Sequence, residues 1–481
     1  MDPKIQTSRS CPLYQALADE IQGLIENRSL RAGQRLPSVR MTATQRQLSI
    51  GTVMQAYVVL ENRGHVEARP KSGYYVRSRP PKALGGEGAG IMGPALHVAE
   101  KDLAGHMMEL SLDSSYFQLG TAWPDPSLLP LDRLSRVAAS VGRSDPGIYG
   151  RSSLGRSYEP LTQELSRRYL QTGTVLGHED FIITTGCTES LYVALSAITR
   201  PGDVVIVESP AYFGFLRIIA ALQLRAVEVP VDPKKGLSLE ALRVALDNHV
   251  VKAVIVTPSY HNPTGACMTN ARKEELYAIL CDYDLPAIED DIYGDLHYGP
   301  VRPKPLKAWD RDGRILLCSS LSKTLSPGLN LGWVAAGRYH QQVDNKKWSE
   351  TSIPTQMIAT RFYQEGYDRH VRRIRAALHS QVTAVTRAVR RYFPRGTRVT
   401  EPAGGFIFWV EFPAGVDVLR LRLHALEEKI GTAPGPIFSV RDQFRSCLRL
   451  NAGLPWTSQF EKTIQTLGRL AAAQLEEARS A

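Results

Sequence analysis

The chain is 481 residues long, 43% hydrophobic and 22% charged, an ordinary make-up for a soluble globular protein with room for two or three domains. No apolar run approaches the ~18 residues that span a bilayer, the N-terminal MDPKIQTSRSCPLY lacks an apolar signal core, and six scattered cysteines form no CxxC pair. Membrane spans, a secretory leader, a disulfide framework and a metal site are therefore not expected, and a reducing cytoplasm is. The net charge of +10 is uneven: residues 1–80 hold twelve Lys/Arg against six Asp/Glu, and the other 401 hold 46 against 42. A basic head on a nearly balanced body suits a polyanionic partner.

In the head, Leu13, Leu17, Ile21, Leu24 and Ile25 recur at helical spacing, and Gly33 closes that stretch. LPSVRMTATQRQ and LSIGTVMQAYVVLENRG each open a helix on a serine, Ser38 and Ser49. HVEARPKSGYYVR reads as two short strands around the turn Pro70–Gly73. Helix, short helix, second helix and basic-tipped hairpin is the order of a winged helix-turn-helix. In that fold the helix after Ser49 enters the major groove, bringing Ser49, Thr52 and Gln55 near base edges, while Arg40 and Lys71 meet phosphates. PLYQALADEI, LPSVR, SIGTV and ARPKSGYYV are similar to the DNA-binding domain of the GntR regulators. Gln47 stands where that family usually has a turn glycine, and Ile50 where a basic residue often follows the serine.

SRPPKALGGEGAGIMGPALH, rich in Pro, Gly and Ala, reads as a linker. The expected division is a head over 1–79, a linker over 80–112 and a body over 113–481. In the body, β-branched runs (DFIITTG, DVVIVESP, KAVIVTPSY, LPAIEDD, RILLCSS) alternate with amphipathic helices, which predicts an α/β fold with a mostly parallel sheet. Ligands in such sheets sit beyond the carboxyl ends of the strands, where the chemistry-bearing residues fall. Gly186-Cys187-Thr188 joins a strand to a helix N-terminus suited to phosphate. Asn262 lies in HNPTG, and IEDDIYG ends a strand on a carboxylate that needs a cation if buried. Lys323 follows RILLCSS, where a confined amine serves as a nucleophile. In SCLRLNAG, strand alternation separates Arg449 from Leu448 and Leu450 and suits it to grip a carboxylate.

In the order GCT, SPAY, NPTG, EDDxY, SxSKxLxPGL and GGFIFW, the body resembles the fold-type I aminotransferases, with a smaller C-terminal α+β subdomain. The resemblance implies pyridoxal 5′-phosphate (PLP) held as a Schiff base on Lys323. Asp290 would face the ring nitrogen, Tyr293 and Asn262 the ring oxygen, and Tyr212 the ring itself. Cys187, Thr188, Ser320 and Ser322 would line the phosphate site, Tyr149 would reach the neighbouring subunit's phosphate, and Arg449 would hold an amino-acid carboxylate. Asn330 stands where the family usually has an arginine on the phosphate; either PLP binds about ten-fold more weakly, or another basic residue compensates. Head and body together resemble the MocR/GabR class of bacterial regulators. That implies a head-to-tail homodimer, nucleoid-associated when on operator DNA and controlled by PLP and an amino acid or amine. A working aminotransferase with an accessory head is the alternative.

Overall fold

The computed structural model describes residues 13–26, 30, 33–62, 65–69, 73–76, 95–98, 102–150 and 157–480. It divides into two compact units, 1–94 and 95–481. Three helices, α1 (Leu13–Glu26), α2 (Val39–Arg46) and α3 (Ile50–Asn62), precede the antiparallel pair β1 (Val66–Arg69) and β2 (Gly73–Val76). Ser38 caps α2 by accepting from the Met41 amide, and Ser49 accepts from the Thr52 amide at 3.0 Å, so both predicted serines satisfy otherwise orphaned first-turn donors. Gln47 ends α2 in the left-handed region (φ 53°), where glycine is free of the Cβ penalty. Leu17, Ile21, Val53, Ala56, Tyr57, Leu60, Val66 and Val76 form the core of this unit. The buried Tyr57 hydroxyl donates to Pro37 O at 3.0 Å and lies 2.8 Å from Thr42 Oγ1, so its polar end is matched. The turn carrying Lys71 lies outside the described residues.

The second unit is built on a nine-stranded sheet. Its long path uses β3 (Leu96–His97), β4 (Phe181–Thr184), β5 (Val204–Ser209), β6 (Arg225–Asp232), β7 (Val251–Val256), β8 (Ala287–Asp290), β9 (Ile315–Ser320) and β10 (Gly332–Ala335). The spatial order is β3-β6-β5-β7-β8-β9-β10-β4; the central five strands are parallel, and β10 runs antiparallel to both neighbours. Near-continuous Val, Ile and Leu in these strands is explained by cores on both faces of the sheet. A smaller four-stranded sheet includes Ile407–Glu411 paired with Cys447–Asn451, with its own apolar core. A 40-residue helix, Ile353–Tyr392, bends at Gly366 and contributes to both cores: Phe362 and Tyr363 to the large, Val385 and Val389 to the small.

The body's elements begin earlier than the expected residue 113. Leu96–His97 pairs with β6, and Asp102–Leu110 is helical, so the later half of the segment read as linker belongs to the sheet unit. The Pro/Gly-rich composition ends near residue 94, and LHVAEKDLAGHMMEL beyond it carries helix-forming residues that the compositional reading overlooked.

Candidate functional site

Because β5, β7, β8 and β9 run in parallel, the segments after them converge on one edge of the sheet, and β4, reversed twice through β10, ends there too. Lys323 follows β9 by three residues and is buried. Burial, then the Arg449 cation, pull its amine from 10.5 to about 7, with Asp290 acting in the opposite direction. Its Nζ stands 3.3 Å from the ring centroid of Trp123, a residue to which no sequence motif pointed.

Asp290, the last residue of β8, accepts from the Ile292 amide (3.1 Å) and the Cys187 thiol (3.5 Å). Burial dominates, and its carboxyl is pushed up from 3.8 to about 7. Tyr212, which opens the helix after β5, is pushed up to about 12 by burial, and Tyr293 is raised further, its ring edge-on to Phe406 at 5.6 Å. Arg449 is buried, donates to Asn262 Oδ1 at 3.0 Å and to the Gly120 carbonyl, and lies 5.0 Å from the Phe438 ring. Burial brings its guanidinium down to about 10, which leaves it charged at neutral pH, and its Nε has no partner. Leu448 and Leu450 point into the small core instead, as alternation requires.

At the end of β4, Gly186 (φ 116°) opens the helix Cys187–Ile198 without a side-chain cap, so the first-turn amides are presented outward. A Cβ on Gly332 of β10 would stand 2.5 Å from the Gly186 carbonyl carbon; only glycine lets β10 support that turn so closely. Ser320 and Ser322 hydroxyls lie 2.8 Å apart. The structure thus brings Lys323, Asp290, Cys187, Tyr212, Tyr293, Asn262 and Arg449 into one electrostatic cluster. Thr188 is exposed on the first helical turn, and the Cys187 side chain turns to Asp290. Tyr149 is 69% exposed, its ring beside Gly142. Asn330 is exposed in a left-handed conformation (φ 44°, ψ 51°) that ends the turn Pro327–Leu329; asparagine adopts this more readily than arginine.

A second layer holds these groups from below. Tyr367 donates to Asp295 Oδ2 at 2.8 Å and lies 3.0 Å from Thr324 Oγ1, and His370 Nε2 is 2.6 Å from the Thr324 carbonyl. Arg302 ties Asp295 (2.6 Å) to Asp291 (2.5 Å), the neighbour of Asp290. Burial alone would raise Asp295, but Arg302 and Arg168 hold its carboxyl far below the usual range. The HNPTG loop is fastened similarly: His261 Nδ1 lies 2.8 Å from Thr264 Oγ1 and its Nε2 3.3 Å from Glu208 Oε2, at the end of β5.

In the head, Arg40 of α2, Ser49 just before α3 and Gln55 within it are exposed to solvent, and Thr52 is partly covered; the Ser49 and Thr52 hydroxyls lie 2.8 Å apart.

Fold and site together define a helix-turn-helix protein carrying an aminotransferase-like unit. Residues 150–462 match the family described as aminotransferase class I and II, and residues 13–76 match bacterial regulatory proteins of the gntR family. The chain belongs to the aminotransferase class I and II family, as a GntR-type regulator fused to an aminotransferase-like domain. It is 38% identical to the HTH-type transcriptional regulator YjiR of Escherichia coli K12, over 95% of this chain and 98% of that protein. It is 35% identical to YdcR of the same organism over the same shares. Among solved structures, the α-aminoadipate aminotransferase LysN of Thermus thermophilus superposes with a TM-score of 0.72 at 24% identity, covering 79% of this chain and 96% of that one. The kynurenine aminotransferase of Pyrococcus horikoshii superposes at 0.71 with 25% identity, over 79% and 95%.

The aminotransferase fold supports PLP as the cofactor, and the residues present fit it. A carboxyl group raised by burial, and so in need of a closer cation to ionise, suits a protonated ring nitrogen. A lysine amine brought to about 7 suits an aldehyde, and an uncapped helix N-terminus beside two hydroxyls suits a phosphate. Among the described residues no helix is long and apolar enough to cross a membrane.

Proposed function

We propose that this chain is a transcription regulator whose body reads the supply of PLP and of an amino compound, and passes that reading to a DNA-binding head. The observation that carries it is the buried Lys323 amine, brought to about 7 and grouped with Asp290 and Arg449, in a chain whose other unit is a winged helix-turn-helix. PLP supplies an aldehyde for Lys323 and an electron-accepting ring. Asp290 pairs with the ring nitrogen, and Asn262 and Tyr293 orient the ring oxygen against Tyr212. The first-turn amides at Cys187 and Thr188, with Ser320 and Ser322, take the phosphate. Arg449 takes the carboxylate of the amino compound, which satisfies its partnerless Nε. A homodimer, head to tail, gives the exposed Tyr149 a place at the neighbouring subunit's site. Control follows only if PLP or the amino compound binds two arrangements of the dimer unequally. A bacterial cytoplasmic setting, with the protein on the nucleoid when DNA-bound, fits this role. The transaminase reading draws no specific observation of its own, because the relatives that share both halves are named regulators.

Three outcomes test this reading. Duplex DNA binding by the full chain weakens steeply with salt, and Arg40→Ala lowers affinity for all sequences and flattens the log–log salt slope by about 0.9 through one lost phosphate contact. A chain that ignores DNA at low salt contradicts it. Lys323 is nucleophilic only when neutral, so the rate at which added PLP develops its lysine-bound visible band rises with pH through about 7 and then levels. A rate that keeps climbing past pH 9 would mean an ordinary lysine. Asn330→Arg tightens PLP about ten-fold by a charge-assisted bond. It also costs the fold about 1 kcal/mol, because arginine must adopt the left-handed backbone. An unchanged PLP affinity in a spectral titration removes the weakened-grip account.

A further inference from the structure

The recognition helix α3 carries no lysine or arginine; Glu61 is its single charged residue. Guanine is recognised in the major groove chiefly through bidentate contacts from exactly those two missing side chains. The polar residues at its start are also committed locally. Ser49 accepts the Thr52 amide, and the two hydroxyls lie 2.8 Å apart, so both serve the first turn of the helix. What α3 turns outward instead is apolar. Ile50 is 55% exposed, Met54 53% and Val58 41%, four residues apart on one face, while Val53, Ala56, Tyr57 and Leu60 fill the core on the other. Exposure is greatest at the N-terminal half, the part of a recognition helix that meets base edges. Gln55 lies on the neighbouring exposed strip and has the amide geometry for adenine N6 and N7.

We infer that Ile50 and Met54 read the C5 methyl groups of thymines, so that the operator half-site under α3 is specified by A·T pairs. This rests on the head's binding DNA and adds what it recognises there. Methyl and methylene groups form no hydrogen bond to any base, and the thymine methyl is the one apolar group on the major-groove edge. Positioning on the duplex is left to phosphate contacts from elsewhere in the head, Arg40 among them.

The test takes a duplex selected from a random pool by the full-length protein, and replaces the half-site thymines one at a time with uracil, which removes only the methyl. Kd by fluorescence anisotropy weakens about four-fold for each methyl that is read, the worth of one buried carbon. Ile50→Ala and Met54→Ala each abolish the thymine-over-uracil preference at one position while retaining low-salt binding to unrelated duplex. The inference is overturned if uracil duplexes bind as tightly as thymine duplexes, or if the selected half-site contains no thymine. It is also overturned if Ile50→Ala leaves that preference intact but changes oligomeric state, which would place a protein surface on the stripe. If no duplex is bound at low salt, the DNA-binding reading itself fails, an outcome distinct from binding without methyl preference.

Discussion

Asp290→Asn lowers PLP affinity by two orders of magnitude or more, read by titrating the visible band of the lysine-bound cofactor. The carboxyl sits in a site so desolvated that it holds its proton to about 7, with only an amide and a thiol as donors. A protonated ring nitrogen is the cation this group lacks, and removing one member of a buried ion pair costs ~3–5 kcal/mol, a factor of a hundred to several thousand. Asparagine keeps the shape and removes the charge. The folded protein does not suffer with the cofactor. Without PLP, the Asp290 pKa is near 7 folded and near 3.8 unfolded, so the unfolded chain releases this proton first, and the group subtracts stability as pH rises between those values. Asparagine removes that loss, and the Tm of the PLP-free variant above pH 7 is expected at or above the parent's. A variant that binds PLP as tightly as the parent would leave Asp290 without the role given to it.

Arg449→Gln removes the response to carboxylate-bearing amino compounds, while the lysine-bound PLP band still forms. Arg449 is fully buried and charged, with a partnerless Nε, fixed by Asn262, the Gly120 carbonyl and the Phe438 face. A guanidinium set in place before the ligand arrives loses little entropy on gripping a carboxylate in two parallel hydrogen bonds. Truncating such a buried pair costs 2–5 kcal/mol, so discrimination between an L-amino acid and the amine lacking its carboxylate drops by about a hundred-fold. The measurement is the shift of the cofactor band on titration with a panel of amino acids and their decarboxylated amines. Undiminished discrimination in the variant would place the carboxylate elsewhere.

The fold was legible because its signals are local: β-branched runs for two-sided strands, serines at helix starts, glycine at the turn into Cys187. The grouping of the candidate site residues was legible where a residue's chemistry and its place at a strand end coincide, as for Lys323, Asp290 and Asn262. Alternation also separated Arg449 from Leu448 and Leu450, but not the Asn262 and Gly120 contacts, which lie 187 and 329 residues away along the chain. For the same reason Trp123 above Lys323, and the Thr324–Tyr367–Asp295–Arg302 layer beneath it, left no sequence signal. Side-chain direction escaped too: spacing put Cys187 at a phosphate cradle, whereas its thiol faces Asp290. The Asn330 question has a physical answer in part. Its backbone is left-handed, so the residue suits the turn whatever it does for a phosphate.

The central claim is that PLP on Lys323 changes the grip on DNA. Its direct measurement is the Kd for one selected operator duplex, at one fixed salt concentration, for the parent and Lys323→Ala, each with and without PLP. The account predicts a Kd in the parent that moves with PLP by five-fold or more, the usual range of coupling between sites, and a Kd in Lys323→Ala that does not move. A parent indifferent to PLP, or a variant that still responds, would contradict it.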